Sequence, residues 1–62
     1  MKFSVVDSYG KIFHFDKIQY AVVKAFSRAC GCEWCHVCDR ETGEILCTVD
    51  NVYGTPVCTY CA

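Results

Sequence analysis

Hydrophobic and polar positions change their period twice along this chain. Phe3-Ser4-Val5-Val6-Asp7 and Ile12-Phe13-His14-Phe15 are short runs of β-branched and aromatic residues, with Ser8-Tyr9-Gly10 between them. Two such runs around a glycine-containing turn predict a β-hairpin. Strand alternation would put Phe13 and Phe15 on one face, and Ile12 and His14 on the other. From Asp16 the period lengthens. Ile18, Val22 and Phe26 recur every four residues, with Ala21, Ala25 and Ala29 beside them. That stripe predicts an amphipathic helix. Asp16 suits the N-cap and Gln19 completes a capping-box pattern, while Phe15 and Tyr20 have the spacing of a hydrophobic staple. Gly31 is the natural stop, and Arg28 suits the negative end of the helix dipole. After Gly31 the helical period is gone. Glu44–Asp50 alternates and predicts a strand with Ile45, Cys47 and Val49 on one face. Asp50–Gly54 is turn-rich, and Pro56 discourages a central strand beyond it.

Length changes what this pattern can achieve. At 62 residues the chain is a single domain near the lower limit for folding on a hydrophobic core alone. Chains of this size usually need a staple, and the seven cysteines suggest a metal or disulfides. Their odd number would strand one thiol in an oxidising compartment, and the N-terminus reaches a polar turn without a leader-like apolar run. Both point to a metal site in a reducing, cytoplasmic setting. No segment is apolar enough to span a membrane. Charge divides the chain: residues 1–28 carry five basic and two acidic side chains, while residues 29–62 carry one basic and five acidic. Any nucleic-acid surface would therefore belong to the first half.

The cysteines carry the candidate chemistry. Cys35-x₂-Cys38 and Cys58-x₂-Cys61 are like pairs separated by 19 residues, the spacing of a four-thiolate zinc site. A CxxC turn aims two sulfurs at one point, and Zn²⁺ takes four ligands in a tetrahedron at about 2.3 Å. Cys32, Cys35 and Cys38 fall at equal steps, so Cys32-x₂-Cys35 is a competing register. Asp39 after the pair and Trp34 before it favour Cys35 with Cys38, because Asp tolerates positive φ and the indole can cover the metal. Cys30 and Cys47 then read as small buried residues. His36 lies between two ligands, and His14 reads as a sheet histidine.

Residues 34–62 resemble a zinc ribbon or CxxC zinc-knuckle protein. The likeness rests on Trp34-Cys-His-Val-Cys38, Pro56-Val-Cys-Thr-Tyr-Cys61 and the strand between them. It implies one structural Zn²⁺ per chain, held by Cys35, Cys38, Cys58 and Cys61. Residues 1–29 more faintly resemble the opening of an ATP-cone, through Tyr9–Phe26, but lack the cone's later helices. The expected fold is small α+β: an N-terminal β-hairpin and one helix (residues 1–31) packed on a C-terminal zinc ribbon (residues 32–62).

No nucleophile–base arrangement, paired carboxylates or phosphate-binding loop is visible, so a non-enzymatic role is expected. Four thiolates would leave no open position on the metal. Function should then lie in a surface: a regulatory or adaptor module for a protein partner, such as a phage or bacterial accessory protein acting on transcription machinery. Tyr9 and Tyr53, at turn tips, are the candidate contacts. The alternative is nucleic-acid binding through Lys2, Lys11, Lys17, Lys24 and Arg28. A third class is redox, either a rubredoxin-like iron site or reactive dithiols.

Overall fold

The computed structural model describes all 62 residues and places five strands and one helix in the order β1 (Phe3–Asp7), β2 (Ile12–Phe15), α1 (Ile18–Ala29), β3 (Trp34–Asp39), β4 (Ile45–Val52) and β5 (Thr55–Cys61). The fold is small α+β. The strands form one antiparallel sheet in the order β2-β1-β3-β4-β5, rather than a hairpin set against a separate ribbon. The physical reason is the ladder. A lone two-stranded hairpin is marginal in water, and β1 becomes fully paired when β3 takes its free edge, with Phe3 opposite Asp39, Val5 opposite Val37 and Asp7 opposite Cys35.

Helix α1 covers one face of this sheet. The core is Val5, Cys32, Cys35, Val37, Cys47 and Val49 under Ala21, Ala25 and Ala29. Phe3, Phe13, Phe15, Val22 and Phe26 pack around it, so the expected face of the first hairpin is found. The alanine line, fully buried, faces the sheet, and Ile18 turns 43 % outward. Alanine lets the helix axis lie close to a flat surface of valines and thiols, so the stripe is centred one residue from where the larger side chains suggest.

The start of the helix departs from expectation, while its end falls just before Gly31 as expected. Lys17 occupies the N-cap without a side-chain hydrogen bond. Asp16 instead lies 3.9 Å from the N-terminal ammonium of Met1. Tyr20 is 59 % exposed and forms no staple. At the other end the Gly31 amide closes onto the Arg28 carbonyl at 2.9 Å. Pro56 sits in β5, an edge strand, where a missing amide is tolerated. Tyr53 (φ 52°) and Gly54 (φ 85°) join β4 to β5 as a two-residue turn with both residues left-handed.

Candidate functional site

The thiols are sorted by strand alternation. In β3, Cys35 and Val37 lie under the helix with no exposure. Cys38 pairs with Ser4, on the other face from the Val5–Val37 pair. An extended strand sends side chains at i and i+3 to opposite faces, so Cys35 and Cys38 do not form a knuckle. Across the helix side, Cys35 faces Val49 and Val49 faces Cys58. That leaves the Cys35 and Cys58 backbones two strand spacings apart, about 10 Å. The four cysteines expected to hold zinc are not brought to one point, and no group of three or more Cys, His, Asp or Glu side chains is arranged to hold a metal ion.

Two other pairs do meet. Cys32 Sγ lies 3.6 Å from Cys35 Sγ and within 3.0 Å and 3.3 Å of the Arg28 and Trp34 carbonyls. Cys47 Sγ lies 3.6 Å from Cys58 Sγ, because a register step at Thr48/Val49 sets Cys58 diagonal to Cys47, while Cys61 stands directly opposite Cys47. All seven cysteines are free thiols. Burial pushes the Cys35 thiol up to about 12 and the Cys47 thiol up to about 11, with the neighbouring Cys32 and Cys58 sulfurs adding to each. Burial also raises Cys38. In the sequence the Cys32–Cys35 pairing is set aside in favour of Cys35 with Cys38, and Cys47 reads as a core residue without a thiol neighbour. The equal steps of Cys32, Cys35 and Cys38 carried the first signal. The alternation of β4, which aims Cys47 at the helix side, carried the second.

Three of the five basic residues in the first half are engaged: Arg28, Lys24 and Lys11. Asp7 is buried, and its carboxylate accepts hydrogen bonds from Arg28 Nη2 at 2.7 Å, Arg28 Nε at 3.2 Å and the Tyr9 and Lys11 amides. The Arg28 guanidinium holds the Asp7 carboxyl below its ordinary value, and Asp7 in turn raises Arg28. Lys24 Nζ stands 4.4 Å from the centre of the Phe13 ring, and Lys11 Nζ 5.4 Å. Arg28 is thus a structural cation, and Lys24 is held over an aromatic face.

The second face of the sheet has no covering element. Ile12, Val6, His36, Thr48 and Tyr60 form one row across all five strands. His36 Nδ1 is 2.9 Å from Thr48 Oγ1, and the Trp34 ring lies 4.5 Å from the His36 ring. Ile12 and Tyr60 are about half exposed. At one end of the sheet, Tyr9 lines an open hollow of about 560 Å³ with Cys30, Gly31, Cys32, Glu33 and Asn51. Tyr53, at the tip of the β4–β5 turn, is fully exposed.

No family model, curated protein or solved structure matches this chain. Fold and site together define a class: a one-helix, five-strand α+β protein with one buried thiol pair, a second pair reaching the exposed edge strand, and an uncovered, aromatic-bearing sheet face.

Proposed function

We propose that the chain is a non-enzymatic binding module that docks on a protein partner through its uncovered sheet face. The observation that carries this is the continuous row Ile12–Val6–His36–Thr48–Tyr60, flanked by Trp34. It contains no charged side chain, and aromatic residues of this kind are enriched at interface centres. Tyr53 adds support. A non-glycine residue at φ 52° is conformationally costly, yet a fully exposed tyrosine occupies this turn. A regulatory or adaptor role, such as on transcription machinery, fits a surface of this size.

A protein partner is favoured over nucleic acid. Arg28 is committed to Asp7, and Lys11 and Lys24 gather around Phe13 on the helix-covered side of the sheet. The test compares capture of partner by immobilised wild-type chain and by variants. Tyr60→Ala and Trp34→Ala should each weaken the complex by about 1–3 kcal/mol with an unchanged fold. Loss of binding on Lys24→Glu, with both aromatic variants silent, would favour the nucleic-acid reading.

The zinc-ribbon proposal for residues 32–62 asks for a different arrangement. Cys38 would have to leave the open face, and β3 would have to give up regular pairing around it, before Cys35, Cys38, Cys58 and Cys61 could share a metal. Elemental analysis of protein purified without added metal separates the two. One tightly held zinc per chain would support the ribbon and require β3 to be rebuilt.

A further inference from the structure

Two thiols meet where β4 and β5 run side by side. Cys47 is 7 % exposed and faces the core, whereas Cys58 is exposed on the edge strand. Their sulfurs are in contact at 3.6 Å. Closing them to a disulfide length of about 2 Å asks the two sulfurs to approach by about 1.5 Å. An edge strand has one side free, so a reagent reaches Cys58 without opening the sheet.

The same molecule supplies an internal contrast. Cys32 and Cys35 are as close, also at 3.6 Å, but both are buried, and the Cys32 thiol is directed at the Arg28 and Trp34 carbonyls. Proximity is equal in the two pairs, and only one of them has an accessible member. Reactivity of thiols follows access as well as chemistry.

We propose that Cys58 and Cys47 form a thiol–disulfide exchange site for low-molecular-weight disulfides, with Cys58 as the entry sulfur and Cys47 as the resolving one. This does not depend on the docking face. In the first step the Cys58 thiol gives its proton to solvent and its sulfur attacks one sulfur of the disulfide. The S–S bond breaks, a mixed disulfide forms, and the departing thiolate takes up a proton. In the second step the Cys47 thiol, held protonated at rest by its burial, gives its proton to solvent as its sulfur attacks the Cys58 sulfur. The Cys47–Cys58 bond forms and the second small thiol leaves. Two protein thiols are oxidised to one disulfide, and one small disulfide is reduced to two thiols.

The test exposes the native full chain to oxidised glutathione, quenches with an alkylating agent and maps the peptides by mass spectrometry. The expected first product is two hydrogens lighter, with Cys47 joined to Cys58, and reduced glutathione should reverse it. Cys58→Ser should slow oxidation about tenfold or more, and Cys47→Ser should trap glutathione on Cys58. Cys32→Ser should leave the rate within about twofold, since that pair is shielded. A first disulfide joining Cys32 to Cys35 or Cys58 to Cys61 would overturn the proposal. So would a mixed disulfide that persists on Cys58 in the wild-type chain. Circular dichroism of each variant identifies any whose rate reflects unfolding, and the position of the first disulfide in the wild type decides the matter without them.

Discussion

A carboxylate without solvent contact is costly unless its charge and its lone pairs are answered. Asp7 is answered from three sides, by Arg28 and by two amides of its own turn. This couples the first hairpin turn to the last turn of the helix. Its folded acid constant lies below the ordinary 3.8. The stabilisation is therefore complete above that ordinary value and is lost as pH falls through the lower, folded one. Acid unfolding followed by circular dichroism should begin below about pH 4, and Asp7→Asn should flatten the profile there. Arg28→Lys should lower the melting temperature although charge is kept, because an ammonium cannot reproduce the two-pronged contact. An unchanged melting temperature would show that a point charge is enough. Tyr53 illustrates the opposite case. Left-handed backbone costs an L-residue about 1–2 kcal/mol, and asparagine is among the few that visit it readily. Tyr53→Asn should thus raise stability by up to about 1 kcal/mol in chemical denaturation, while weakening the proposed complex. A stabilised variant with full binding would remove Tyr53 from the docking surface.

At the scale of elements, packing of α1 depends on small side chains. Ala25 has no exposure against the sheet, so Ala25→Leu should force the helix away at a cost of about 1–3 kcal/mol, measurable by denaturant titration. The helix and its apolar side were legible in the sequence because their period is local. So were the first hairpin, with Phe13 and Phe15 turned to the core, and the Cys47–Val49 side of β4. What was not legible depended on partners distant in the chain. The start of α1 falls one residue later than Asp16 suggested, with Lys17 at the N-cap and no side-chain hydrogen bond there. The Cys35–Cys38 spacing suits both a metal knuckle and a strand, and only the pairing of β3 between β1 and β4 separates them. That same pairing decides which sulfur stands beside Cys35. Exposure of Tyr9 and Tyr53 followed from turn chemistry alone, whereas the close, tilted approach of the Trp34 and His36 rings needed the assembled open face.

At the scale of the whole molecule, the sheet is two locally built pieces meeting along one line. Residues 1–31 supply β1, β2 and α1, and residues 32–62 supply β3, β4 and β5. The pieces join through the β1–β3 ladder, Phe3–Asp7 against Cys35–Asp39, and through the helix lying over the second piece. The nine core residues divide almost evenly: Val5, Ala21, Ala25 and Ala29 come from the first piece, and Cys32, Cys35, Val37, Cys47 and Val49 from the second. Neither piece can close a core by itself, yet each presents the surface the other lacks. The peptide bond between Gly31 and Cys32 then acts mainly as a tether, keeping two complementary fragments at high effective concentration. Two synthetic peptides cut at that bond should each be largely unstructured alone and should assemble when mixed. Helical and sheet circular dichroism should grow on titration and saturate at one to one. Peptides that gain no structure on mixing would show that the tether sets the fold, and that the β1–β3 line is too weak to hold without it.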